Sequence, residues 1–127
     1  MDFAYELAWL HAFLFTQAVE VPVYVAGLRR LGGQPRWRAA PGPLPLVGRL
    51  LLALLLSAVT HPVVWFVWPR LVTSYPIMVA CAEVFALTVE ALLLAASGCR
   101  RPLLLSFLAN AASFGLGELS RRVFHLP

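Results

Sequence analysis

Four apolar runs, each long enough to cross a bilayer as a helix, dominate this chain and leave it little else to fold into. At a rise of 1.5 Å per residue, the hydrocarbon core asks for about 20 residues. Segments at about 3–28, 46–68, 76–97 and 102–119 are of that order. The first closes on Arg29-Arg30 and the second on Pro69-Arg70. The third and fourth open at Pro76 and Pro102, a first-turn position where the missing backbone N–H is not needed. Of 127 residues, 61% are hydrophobic and only 13% charged, and the mean hydropathy is +0.80. A soluble domain keeps about a quarter of its residues charged. The expectation is an all-α integral membrane protein, a four-transmembrane-helix bundle forming one membrane domain over 1–127, with the lipid bilayer as solvent.

Residues 29–45 form a connector rich in Gly, Pro and Arg, which reads as exposed chain rather than a domain. The other two connections are short and force their helices to be antiparallel neighbours. All ten basic residues are Arg, and most sit in clusters at the ends of apolar runs. Such clusters set topology and prefer the cytoplasm. The first and third connections carry Arg29, Arg30, Arg36, Arg38, Arg100 and Arg101, with Arg49 close by, against Arg70, Arg121 and Arg122 opposite. That asymmetry places both termini, with Asp2 and Glu6, outside the cytoplasm of a bacterial inner membrane. Trp9, Trp65, Trp68, Tyr5 and Tyr75 then fall near one face and suit an interfacial aromatic belt. Nucleic acid is excluded as a partner, because no soluble basic face exists to carry it. The acidic opening Met1–Glu6 lacks the basic start of a secretory signal, so no cleaved leader is expected. Cys81 and Cys99 lie about 27 Å apart along one predicted helix and cannot pair within the chain.

The chain carries the marks of a duplication. His11–Glu20 aligns with Cys81–Glu90 at a constant offset of seventy, with Ala, Phe, Val and Glu coinciding. Each of those Glu residues is followed nine or ten residues later by an Arg pair. Leu54-Leu55-Leu56-Ser57 likewise matches Leu103-Leu104-Leu105-Ser106, and a polar residue, His61 or Asn110, follows four places after each Ser. Two helical hairpins related by a parallel internal repeat, about an axis along the membrane normal, would produce this pattern.

Polar residues fall on one stripe of each helix: Gln17, Glu20 and Tyr24; Ser57 and His61, with Thr60 beside them; Glu83 and Glu90; Ser106, Asn110 and Ser113. Spacings of three, four and seven keep such groups on one side. A charge facing lipid costs several kcal/mol, so the stripes should converge inside the bundle. Counting rise from the predicted outer ends puts Glu20 and Glu90 about 21 Å deep, and His61, Glu83 and Asn110 about 10–14 Å deep. Two layers are expected. Pro22 and Pro62 add free carbonyls at Ala18 and Ala58 beside this cluster.

Two carboxylates in low dielectric need a shared proton, a cation or a base between them. Glu20, His61, Glu83 and Glu90 are therefore the candidate proton- or metal-binding groups, supported by Gln17, Tyr24, Ser57, Thr60, Asn110 and Ser113. One His with two or three Glu suits a divalent metal such as zinc or iron. His11 sits about half a turn away from Glu20, which weakens a bis-His haem. Three functions fit. The first is transport of a proton or cation, in a homodimer because four helices are few for a pathway. The second is an intramembrane enzyme acting on a lipid or membrane-embedded substrate, with Glu90 or Glu20 as base and His61 as metal ligand or acid. The third is an accessory subunit whose polar residues dock a partner in a membrane complex. Interhelical polar bonds are worth about 0.6 kcal/mol each, so ionisable groups are a poor choice for adhesion alone.

Overall fold

The computed structural model describes residues 3–35, 37–39 and 41–124; Asp2 and Arg36, counted above among the end charges, lie outside that set. Four long helices and one single turn make up the fold: α1 (Phe3–Leu31), α2 (Leu46–Phe66), α3 (Trp68–Leu71), α4 (Tyr75–Ala96) and α5 (Pro102–Phe124). Among the described residues there is no strand, only an isolated bridge between Gly32 and Cys99. Three stretches are long and apolar enough to cross a membrane: Leu46–Leu71, Tyr75–Ala96 and Pro102–Val123. At 29 residues α1 is the longest helix, but Glu6, His11, Gln17 and Glu20 dilute its apolar content.

Three boundaries differ from the sequence reading, each for a local reason. The second run, expected to be continuous to Trp68, breaks at Val67 (φ −104°) and resumes as α3. Pro69 has no N–H to give the Trp65 carbonyl, and the Tyr5 hydroxyl donates to that oxygen instead, at 2.6 Å. Helix α5 runs five residues past the expected end at Leu119. Glu118 holds its last turn through Arg121 at 2.8 Å and Arg122 at 3.9 Å, both at helical spacing. Helix α1 continues through Arg29-Arg30, whose positive charge suits a helix C-terminus. Neither Pro22 nor Pro62 interrupts its helix.

The long helices are neighbours in a closed ring, α1–α2–α4–α5, so that α1 faces α4 and α2 faces α5 across the interior. Every neighbouring pair is antiparallel: Tyr5 meets Trp65 while Glu20 meets Ser57, and Tyr75 meets Arg121 while Glu90 meets Asn110. The apolar core gathers at the Arg-rich end, around Tyr24, Leu28, Leu56, Leu94 and Leu105. A Cβ at Gly27 would overlap Leu105, so glycine there lets α5 close against α1. Outward positions such as Leu51, Leu55, Val84, Leu92 and Leu103 are exposed, as a lipid-facing surface requires.

At the Arg-rich end the two connections are knitted together. Helix α4 ends in a left-handed turn at Gly98 (φ +82°), with Cys99 N–H on the Leu94 carbonyl and Gly98 N–H on that of Ala95, both at 3.0 Å. Gly33 N–H then bonds Gly98 O, and Arg100 N–H bonds Leu31 O, each at 2.9 Å. A Cβ on Gly98 would strike the Gln34 carbonyl, whereas the other positive-φ glycine, Gly42 (φ +91°), has open space around it. Gly42→Ala is therefore expected to cost only the left-handed penalty, about 1 kcal/mol. Gly98→Ala adds the collision and should lose about 2–3 kcal/mol, or open the joint. Chemical unfolding of both variants in detergent micelles checks this, and equal losses would show that the joint contributes nothing.

Candidate functional site

Small residues bring the acids inside. Helix α4 buries Ala82, Ala86, Glu90 and Leu94 on one stripe, so its backbone approaches the bundle axis and carries Glu90 with it. Helix α1 buries Gln17, Glu20, Tyr24 and Leu28, also at spacings of three and four. Ser57, Thr60 and His61 from α2, and Ser106 and Asn110 from α5, complete a polar interior. Glu20 and Glu90 are 2% and 1% exposed.

Each carboxyl is bracketed by donors from both α2 and α5. Thr60 Oγ1 donates to Glu90 Oε1 at 2.8 Å, and Asn110 Nδ2 donates to Glu90 Oε2 at 2.6 Å. The Tyr24 hydroxyl reaches across the bundle from α1 to the same Oε2. Ser57 Oγ donates to Glu20 Oε2 at 2.5 Å, and Ser113 Oγ to Glu20 Oε1 at 2.6 Å. Ser113 Oγ also lies 3.1 Å from the main-chain carbonyl of Asn110, the residue whose side chain holds Glu90, so one turn of α5 sits against both carboxyls. No Arg or His side chain forms an ion pair with either acid among the described residues.

Two of the three groups placed in the outer layer take other positions. Asn110 lies level with Glu90, because the five extra residues of α5 add about 7.5 Å to its depth. His61 is buried in an aromatic box, its ring 5.3 Å from Phe13, 6.0 Å from Trp65 and 6.4 Å from Trp9 between centroids. Its Nδ1 has no hydrogen-bond partner among the described residues, and neither carboxyl bonds to it. Glu83 is half-buried and forms no ion pair among the described residues. The register fixed by Thr60–Glu90 and Trp68–Phe85 sets it level with α3, beyond His61. His11 is exposed. Gln17 donates to the Leu54 carbonyl at 3.3 Å, while its Oε1, like Trp9 Nε1, is buried without a partner among the described residues. Those atoms and His61 Nδ1 lie between the carboxyl network and the Arg-poor end. Trp9 was read only as part of the aromatic belt; its spacing of four from Phe13 is the signal that they share a face.

The donor set bears on metals directly. Among the described residues no three His, Cys, Asp or Glu side chains converge as a metal site needs. Glu20 and Glu90 offer two carboxyl groups whose oxygens already face hydroxyl, phenol and amide donors. Such a site holds and orients carboxyl groups, and it can exchange a proton.

Fold and site together define an all-helical bundle, with three helices fit to cross a membrane and a hydrogen-bonded pair of acids at its centre. Comparison with protein families, with curated proteins and with solved structures finds no match for the chain.

Proposed function

We propose that this is a four-transmembrane-helix protein whose Glu20–Glu90 pair binds and releases a proton within the membrane, in the service of transport. One observation carries the reading. One oxygen of each carboxyl rests on a hydroxyl that has a second, main-chain acceptor. Ser113 Oγ can turn to the Asn110 carbonyl at 3.1 Å, and Thr60 Oγ1 to the Leu56 carbonyl at 3.2 Å. A protonated Glu20 or Glu90 then donates to the same hydroxyl, and no polar atom is orphaned in either state. Back-bonding of this kind is common for Ser and Thr in helices, and here it lets both protonation states of each acid be satisfied.

Charge supports the same reading. Two anions without a cation among the described residues are costly in hydrocarbon, and a bound proton removes half of that burden. Gln17, His61 and Trp9, with their unpartnered atoms, mark a route from the Arg-poor end to Glu20, since buried polar atoms of this kind are met by water. Each acid draws on both α2 and α5, but the matched residues of the parallel repeat are not equivalent: Ser57 bonds Glu20 while Ser106 bonds the Leu87 carbonyl, and Asn110 bonds Glu90 while His61 bonds neither acid. Arg counting orients the Arg-rich end to the cytoplasm and both termini outside it. A homodimer would supply the width that four helices lack for a pathway. Metal binding is disfavoured by the donor set, and no nucleophile geometry recommends an enzyme.

The test is reconstitution in liposomes containing a pH-sensitive dye, with a potassium diffusion potential as driving force. Wild-type vesicles should acidify or alkalinise faster than protein-free ones, and Glu90→Gln vesicles should not. Equal rates for wild type and Glu90→Gln would refute the proposal.

A further inference from the structure

On the outer face of the α1–α2 pair, at the Arg-rich end, lies a groove of about 800 Å³. Its mouth is formed by Arg29, Arg30 and Arg49, and its wall by Pro22, Val25 and Leu46. These α1 residues lie on the side of the helix away from Gln17, Glu20 and Tyr24, so the groove is separate from the carboxyl network.

The three guanidinium groups have no acid to meet. The ion pairs among the described residues involve only Glu118 with Arg121 and Arg122. Arg49 is the telling case: its Nε is buried yet has no hydrogen-bond partner among the described residues. A buried cationic donor left unmatched is costly, and three like charges along one groove repel one another. An anion that accepts several N–H bonds resolves both, and guanidinium forks match phosphate oxygens in geometry. The wall chooses among phosphates. From Arg29 down to Pro22 the groove descends about 10 Å along α1 over apolar side chains, the profile of a headgroup above its first acyl carbons. A free phosphate ion would gain nothing from that wall.

We infer that this groove binds one phospholipid with an anionic headgroup, its phosphate on Arg29, Arg30 and Arg49 and an acyl chain along Val25 and Pro22. The inference rests on the membrane reading of the chain and not on proton binding. Native mass spectrometry of the detergent-solubilised full chain, titrated with phosphatidylglycerol, phosphatidylcholine or inorganic phosphate, tests it. One phosphatidylglycerol should bind per chain, roughly tenfold more tightly than phosphatidylcholine, whose choline cation brings a like charge to the three guanidinium groups. Arg49→Gln and Arg29→Gln should each erase that preference, while Arg70→Gln at the opposite end should leave it. Three outcomes overturn the inference: equal binding of the two lipids, equal loss in Arg70→Gln and Arg49→Gln, or inorganic phosphate displacing the lipid at equimolar concentration. Circular dichroism verifies that each variant is folded, and the two groove variants provide independent readings.

Discussion

Glu90→Leu is expected to destabilise the bundle by about 2–4 kcal/mol, although leucine and glutamate are close in volume and no cavity results. The loss comes from the groups left behind. Thr60 can fall back on the Leu56 carbonyl at 3.2 Å and Asn110 on the Ser106 carbonyl at 3.0 Å. Tyr24, wholly buried, is left with only the Ser106 hydroxyl, which already donates to the Leu87 carbonyl at 2.9 Å and meets Asn110 Nδ2 at 3.4 Å; the rest of its surroundings is Leu28, Leu94 and Leu105. Interhelical hydrogen bonds in membranes average only about 0.6 kcal/mol, because the separated helices also find partners. A phenol left with only that contested oxygen carries much of its desolvation cost, about 1–3 kcal/mol when complete, and that is the dominant share. Removing the phenol as well should therefore help. Tyr24→Phe in the Glu90→Leu background is expected to restore at least about 1 kcal/mol, the sign opposite to Tyr24→Phe alone. Unfolding of the four proteins in mixed micelles, followed by helicity, measures the cycle. An additive result would mean that Tyr24 and Glu90 are not coupled.

The helices and their inward faces were legible in the sequence, because lipid imposes both. Gln17, Glu20 and Tyr24 share a stripe by spacing alone, and so do Asn110 and Ser113. Which acid each donor serves was not legible. Tyr24 sits one turn from Glu20 yet bonds Glu90 on the diagonal helix, a choice made by the ring order of the bundle. Depth was legible only as far as helix ends were. The Glu118–Arg121 pair carries α5 past Leu119, and that one error moved Asn110 out of its layer. Glu83 shares the stripe of Glu90 at spacing seven, but α2 gives way at Val67 before it can cover that level. The groove at Arg49 needs α1 and α2 in contact, which no periodicity reports.

Glu20→Gln and Glu90→Gln are each expected to bring proton movement down to the rate of protein-free vesicles, and the double variant should be no slower than either. The amide replaces one carboxyl oxygen with a donor of the same size, so the packing around Ser57 and Ser113 is kept while titration is lost. That separates this prediction from the leucine case, where the fold itself is stressed. Non-additivity follows from the connection between the acids. Ser113 Oγ touches Glu20 Oε1 at 2.6 Å and the main-chain carbonyl of Asn110 at 3.1 Å, and the side-chain Nδ2 of Asn110 holds Glu90, so one turn of α5 keeps the carboxyls close and a water between them would complete the path for a proton. Groups acting in series fail together, and removing the second adds nothing once the first is gone. Two independent sites would behave otherwise, each single variant retaining part of the rate and the double variant losing the product. Initial rates of dye response at matched protein density decide between them. Partial, multiplicative losses would leave the acids as separate proton sites and remove Ser113 from any relay.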